Sequence, residues 1–501
     1  GSSLSFRAPF RWRGNSQMPA IPVPTCRIDH EIRDGITFLG QQAVNAAKVT
    51  ATVAIDKMPK PPRTGCSGCG TAKHDEVGDT IFCDLGEPLR LFSTDRAFAA
   101  LKPGGYVVAW GDSEAGGDLG AARWQLTSNV QQIYSTSAAF AAVKSDRSVV
   151  TWGSRSHGGD SASVSEHLKQ DVFWIYSTSS AFAAVKIGGS VVTWGCNDFG
   201  GDSSAVKIHL LSGVQQIYST MCSFAAVKRE GFVVTWGRRD CGGNSSTVKN
   251  EIRSGVVEIY STFGAFAALK DDGSVVCWGR SDSGGDCSSV QEHLMGNVDR
   301  ISATRNGAFA AVKCDGSVVT WGRGDCGGNS SSVEHLLRDD VVQIYPTAGG
   351  AFAALKVDGS VVSWGRGDCG GDSSQVRDRL AGGVKEISST NYAFAALKED
   401  GSVVTWGHMD SGGDISLVHE LLTEEVDRVH STANGAFAAL KSDGSVVTWG
   451  GKECGGESVT MIDELLDGVI RIYSTSCAFA AVKMNGSVVT WGCGDSGGDS
   501  T

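Results

Sequence analysis

The dipeptide Trp-Gly recurs at Trp110, Trp152, Trp194, Trp236, Trp278, Trp321, Trp364, Trp406, Trp449 and Trp491, in steps of 42 or 43 residues. Only Trp12, Trp124 and Trp174 stand outside the series. A period of this length means one small unit copied ten times, and such a unit cannot bury its own faces. Residues 91–501 are therefore read as one repeat domain, which overrides the two to four domains that 501 residues suggest by length.

The unit ending at Trp364 shows the pattern. Val333, Leu337, Val341 and Ile344 come first, followed by the apolar run Ala351 to Lys356 (AFAALK), the pair Asp358-Gly359, the run VVSWG, and GDCGGDSS. Asp-Gly between two short apolar runs predicts a β-hairpin whose two central residues both take φ > 0. The segment around Ile344 predicts a third strand of the same sheet. Asp and Ser after the glycine pair are good N-cap residues, and Val and Leu four apart predict a turn or two of helix, as in Ser288 to Met295. The reading is all-β: about ten three-stranded sheets with short helical connections, stacked so that neighbours cover each other.

Composition sets limits. Charged residues total 44 Lys+Arg against 55 Asp+Glu, a net charge of −11, which points away from the basic surface that nucleic acid requires. No apolar run reaches the length of a membrane-spanning helix, which leaves peripheral association with a membrane complex open. Of 15 cysteines, Cys241, Cys326, Cys369 and Cys454 share one slot with Ser283, Ser411 and Ser496. A slot that takes Cys or Ser is not a disulfide framework, so most are read as free thiols in a reducing compartment.

The motif I-x-S-T…A-F-A-A-L-K-x-D-G-S-V-V-T-W-G-x-x-D-x-G-G-D resembles the repeat of the regulator of chromosome condensation family, a β-propeller family. In length it is closer to the short three-stranded blades of the second bacterial β-lactamase inhibitory protein, and the plant ultraviolet-B photoreceptor has the same architecture. The resemblance covers residues 91 to 498. It departs in three places: ten units instead of seven, Ser-Thr and Ala-Phe (Ser261-Thr262, Ala265-Phe266) for the family's Gly and His, and Gly-Asp for Gln-Leu. Ten units close into a wide ring or spiral as an open superhelical array; similar strands at both ends favour closure or capping.

Several residue sets invite a chemical reading. The acids of D-x-G-G-D (Asp282 and Asp286, for example) offer paired oxygens to calcium, but no unit supplies the roughly six that the ion takes, so turn and N-cap duty is preferred. A Lys closes the Ala-Leu strand in all ten units, Lys270, Lys313 and Lys356 among them. In one register they form a positive stripe for an acidic partner, against the plainer reading of solvated edge lysines. The ten series tryptophans read as packed blade residues, with a light-sensing array like the photoreceptor's as the alternative. No nucleophile elbow, P-loop or dinucleotide fingerprint occurs, and the histidines of the connections sit at unmatched offsets, so no catalytic residue is assigned.

The first 90 residues differ. Residues 1–28 form an acid-poor arm that begins at Gly1, which reads as a processed start resembling a transit-sequence remnant of a plastid or mitochondrion, or as a basic arm of a cytoplasmic protein. Phe6, Phe10 and Trp12 with Arg7, Arg11 and Arg13 are its candidate partner anchors. Residues 29–90 read as a small cap. Cys66, Cys69, His74 and Cys83 there match zinc-ligand chemistry and spacing in part; free thiols and a Cys66–Cys69 disulfide compete with zinc, and no other cofactor is implied. Taken together, the sequence points to a non-enzymatic protein-interaction scaffold, a peripheral subunit of a multi-subunit assembly for which an organelle is one candidate home. The alternatives are a guanine-nucleotide exchange factor for a small GTPase, by family analogy, and a tryptophan-based ultraviolet sensor.

Overall fold

The computed structural model describes residues 90–102, 104–494 and 498. The arm, the cap and the Cys/His cluster therefore lie outside the described residues. Ten three-stranded antiparallel sheets follow one another, each with its strands in sequence order. Unit one comprises Arg90–Ser93, Ala97–Lys102 and Tyr106–Gly111, and unit ten Val469–Ser474, Ala478–Lys483 and Val488–Gly492. Among the described residues no strand of unit one pairs with a strand of unit ten. The architecture is a repeat of propeller or solenoid type in which no sheet closes.

The Ala-Leu strand explains why the sheets stack. Side chains of a strand alternate between faces. In unit five, Ala265, Ala267 and Leu269 point one way and pack with Phe309, Ala311 and Trp321 of unit six, while Phe266 and Ala268 point the other way with Trp278, onto Ala225 and Val227 of unit four. Every inner sheet is apolar on both sides because it has a neighbour on both sides. In units two to ten Phe and Trp are cross-strand partners, as at Phe309↔Trp321, with ring centroids 5.0–5.3 Å apart.

Nine indole N–H groups donate across the interface to a glycine carbonyl of the preceding connection, at 2.9–3.1 Å: Trp152 to Gly116, and so on to Trp491 on Gly455. The accepting glycine must be glycine. At Gly284, φ is +89° and a Cβ would stand 2.5 Å from the Phe309 ring. The D-x-G-G motif is thus the socket for the next unit's Phe-Trp pair.

The Asp-Gly hairpins differ from expectation. Positive φ is confined to the glycine, as at Gly359 (φ +75°). The loop is one residue longer than a two-residue turn: the Gly359 N–H donates to the Lys356 carbonyl and the Lys356 N–H to the Ser360 carbonyl. The Asp358 carboxylate accepts the Ser360 N–H at 2.9 Å, so it caps the turn instead of taking the left-handed conformation. Only the Gly104-Gly105 and Glu230-Gly231 turns carry two successive positive φ values. The connections are 3₁₀ turns, apart from the single α turn Ile462–Leu465. Except after unit nine, where Glu457 stands in the slot, they start at an Asp or Asn that accepts the N–H two residues on, as Asp286 does from Ser288, and not at a capping Ser.

The 43-residue steps have a definite place. Units six, seven and nine carry one more residue between the buried Thr and the following Ala (Thr304/Ala308, Thr347/Ala351, Thr432/Ala436). Each extra residue is accommodated by a glycine at φ +110° to +125° (Gly307, Gly350, Gly435). The inserted residue leaves the Trp-to-Gly register intact.

A second slot pair lies ten residues apart. Thr and Ser hydroxyls meet at 2.9 Å in Thr151/Ser161, Thr193/Ser203, Thr235/Ser245, Thr320/Ser330 and Thr448/Ser458, tying the third strand to its connection. In unit five both members are cysteine, and Cys277–Cys287 is a disulfide. This corrects the free-thiol reading for these two; the other nine described cysteines are thiols. Unit seven holds Ser363 in the Thr position, and its hydroxyl is buried without a hydrogen-bond partner.

Three stability outcomes follow. Trp321→Phe, which removes a buried donor and leaves a void, is expected to cost about 2–4 kcal/mol in urea unfolding. Trp110→Phe, at a ring 41% exposed, is expected to stay within about 0.5 kcal/mol. Ser363→Thr is expected to raise stability by about 1 kcal/mol by restoring the hydroxyl pair with Ser373. Equal costs for the two Trp variants would contradict the socket.

Candidate interaction surface

Most of the repeated polar residues are occupied in joining the units. The Ser of each Ser-Thr donates to the matching carbonyl of the unit before it: Ser135 to Ser93, Ser177 to Ser135, Ser219 to Ser177 and Ser261 to Ser219, at 2.7–3.0 Å. The buried Thr binds its own unit. Thr262 Oγ1 accepts the Ala265 N–H and donates to the Ser283 carbonyl at 2.9 Å. Loop amides continue the chain of contacts, Ser137 N–H to Ser179 carbonyl and Ser179 N–H to Met221 carbonyl.

The strand-end lysines of units two to ten are half-buried, and Lys102 of unit one is exposed. Lys356 Nζ donates to the Leu336 carbonyl at 3.1 Å and lies 3.3 Å from Asp339; Lys228 and Lys483 reach the His209 and Glu464 carbonyls in the same way. Lys270 lies 4.0 Å from Asp272, and Lys313 holds the same register. The amines fold back toward the preceding connection, where a 3₁₀ turn ends in open carbonyls that attract cations.

The D-x-G-G-D acids are held apart. Arg238, Arg280, Arg323 and Arg366 pair with the first Asp two residues on (Asp240, Asp282, Asp325, Asp368) at 2.7–2.9 Å, and the guanidinium beside it holds the Asp282 carboxyl below its usual range. The second Asp accepts a backbone N–H. Among the described residues no three Cys, His, Asp or Glu side chains converge on one cation position. The connection histidines His167, His209, His293, His335 and His419 are exposed. A shallow hollow of about 320 Å³ between units three and four is lined by Gly188, Ser212, Gly213, Lys228, Arg229 and Phe232, with no acid among them.

The first strand carries a Tyr column that the sequence reading missed, although Tyr134, Tyr176, Tyr218 and Tyr260 recur at one offset. Each phenol meets the backbone amide of an Ile in the next unit's first strand, and burial pushes Tyr176 and Tyr345 up to about 12. Ser302 and Ser388 fill the same slot and donate to the Ile344 and Val429 carbonyls. The column covers the edge strand that would otherwise offer open backbone groups.

What varies between units is the connection. A buried aliphatic side chain anchors each, a Leu in most, as Leu168, Leu210, Leu294 and Leu465 are, and Ile252 after unit four. Beside these anchors stand large apolar side chains in solvent: Trp124 (81% exposed), Ile208 (74%), Met295 (71%) and Leu417 (98%), with Leu421, Ile462 and Leu466. Connections pack along the third strands of the sheets, so these side chains lie on one edge of the stack. The stripe is acidic toward its end, with Glu420, Glu424 and Glu425 after unit eight and Asp463, Glu464 and Asp467 after unit nine. Exposed apolar residues collected along one edge mark an interaction surface.

No family model and no curated protein matches the chain. Solved structures similar to it include Prp20p of Saccharomyces cerevisiae, at 18% identity over 60% of this chain and 80% of that one (TM-score 0.31). Yeast RCC1 (Prp20) bound to Kap60 matches at 19% over 65% and 70% (TM-score 0.29). The ectodomain of the receptor kinase CR4 of Physcomitrella patens matches at 13% over 54% and 70% (TM-score 0.28). At these values the description of the fold rests on this chain's own strands. No described helix is long and apolar enough to cross a membrane.

His430 occupies the Tyr slot in unit nine. Burial, and then the Arg428 charge, push its imidazole down to about 4. It is neutral in the folded protein, whereas the unfolded chain protonates near the ordinary value. Stability is therefore expected to fall as pH drops from about 6.5 toward about 4, by up to ~3 kcal/mol, and to change no further from this group below that. Urea midpoints at pH 7 and pH 4.5 check it: His430→Tyr is expected to shrink the difference between them, and an unchanged difference would refute the assignment.

Proposed function

We propose that the chain is a non-enzymatic protein-interaction scaffold, a peripheral subunit of a larger assembly, which binds through the connection edge of its stack. One observation carries this reading. The side chains that repeat are spent on unit-to-unit contacts, while the largest group of exposed apolar side chains, Trp124, Ile208, Met295 and Leu417 among them, falls on connections that differ from unit to unit. A surface that repeats in spacing and varies in chemistry suits an extended protein partner read by several units at once. The indoles of the series stack on phenylalanines of their own sheets, which supports a packing role for them over a light-sensing one. Guanine-nucleotide exchange remains a family analogy, with no specific observation in its favour.

The test is co-purification of the tagged full chain from native extract, with subunit stoichiometry measured by mass spectrometry. A defined multi-subunit set is expected, lost in the triple variant Leu417→Asp/Leu421→Asp/Ile462→Asp, whose fold is checked by its unchanged unfolding midpoint. A chain that runs alone at every concentration, or that accelerates nucleotide release from a small GTPase, would overturn the reading.

A further inference from the structure

Two slots face each other along the stack. One is the last residue of the 3₁₀ turn after Trp-Gly: Cys241, Ser283, Cys326, Cys369, Ser411 or Cys454. The other is the residue before the Ala-Leu strand. Where the second slot is glycine, the first slot's side chain closes over it: a Cβ on Gly350 would lie 2.9 Å from Cys326 Sγ, and one on Gly435 2.9 Å from Ser411 Oγ. A glycine has nothing to answer with. In two places both slots hold cysteine. Cys222 and Cys241 are hydrogen-bonded inside unit four, and both are buried. Cys454, after unit nine, and Cys477, in unit ten, stand with sulfurs 3.3 Å apart, and both are partly open to solvent. Asn434 Nδ2 donates to Cys477 Sγ at 2.9 Å, and the Cys493 N–H donates to the Cys477 carbonyl.

We propose that Cys454 and Cys477 are a thiol modification site, an oxidisable pair that joins unit nine to unit ten covalently. Peroxide is the oxidant class. Cys477 is the attacking sulfur, since it is partly open and has the Asn434 amide beside it. Burial pushes the Cys454 thiol up to about 12 and keeps it protonated, in keeping with its part as the second sulfur. Cys477 sulfur takes one peroxide oxygen as the O–O bond breaks, giving a sulfenic acid and one water. Cys454 sulfur then displaces that oxygen: the S–S bond forms, the S–O bond breaks, and the oxygen leaves as a second water with the Cys454 proton. Two thiols are oxidised and one peroxide is reduced. The bond closes the connection that carries Ile462, Asp463, Glu464 and Leu466, so it fixes one segment of the connection edge to its neighbour.

The experiment exposes the native full chain to dilute hydrogen peroxide, quenches it with N-ethylmaleimide and maps the peptides by mass. A linked Cys454–Cys477 pair is expected, two hydrogens lighter than the reduced peptides, while Cys222 and Cys241 stay reduced. After oxidation, a protease cut between residues 455 and 476 is expected to leave the chain in one piece until reductant is added. Cys454→Ser is expected to strand Cys477 as a sulfenic acid that a carbon nucleophile traps; Cys493→Ser is expected to leave the link intact. The proposal is overturned if Cys477 links to Cys493 instead, or if Cys454 remains fully alkylated once the exposed thiol Cys314 has been oxidised.

Discussion

The indole N–H of each inner tryptophan reaches out of its own sheet to a glycine carbonyl of the one before, and the phenylalanine beside it lies on the same glycine. This contact ties four features of the sequence together. It requires a tryptophan, because a phenyl ring has no donor. It requires a glycine at positive φ, because a Cβ would strike the ring. It fixes the spacing, since donor and acceptor are 36 or 37 residues apart in every instance. It also makes the buried carbonyl and the buried indole each other's partner, so that neither bears the cost of an unmet polar group in an apolar interface. The hydroxyl chain of Ser and Thr secures the same end of each sheet, since Ser261 pairs with Phe266 and Phe266 with Trp278.

The constancy of the repeat follows from this interlock. Ala, Phe, Trp, Thr and the glycine pair lie where two units touch, so a change in one requires an answer in the next. Positions free of that constraint diverge. The connections keep a buried aliphatic anchor, Leu in most and Ile252 after unit four, and otherwise range from Trp124 to Met295 to Leu417. A partner that distinguishes this chain from another with the same repeat would have to read those positions, because the rest is common to all units.

Much of this was legible in the residues alone. The period, the three strands per unit and the hairpin positions come straight from Trp-Gly, alternating apolar runs and Asp-Gly. The turn type was not legible, because Asp-Gly suits both a two-residue turn and a longer loop with a left-handed glycine, and the choice rests on Ser360 and Lys356 closing the longer ring. Of the Asp and Ser of Gly-Gly-Asp-Ser, both of which suit an N-cap, the Asp takes the role, its carboxylate accepting the amide two residues on. The Cys277–Cys287 bond had a signal that went unread: a Thr slot and a Ser slot ten residues apart change to cysteine in the same unit and in no other. The connection edge was not legible, because exposure depends on which Leu of a helical stretch the neighbouring sheet takes in. The arm residues from Phe6 to Arg13 and the Cys66, Cys69, His74 and Cys83 set lie outside the described residues.

A stack of this kind holds together by nearest-neighbour terms, each interface adding its share and none spanning two units. Its weakest interface therefore governs where it first opens, and the sequence varies that strength locally. Unit five adds a covalent bond between its third strand and its connection, unit seven leaves a hydroxyl unpaired, and unit nine places an imidazole where most units carry a phenol. These departures fall on slots that elsewhere carry identical contacts, so each one changes a known interaction by a known group. The repeat is in this sense its own set of controls: nine copies of one interface, differing at a few positions, within one chain.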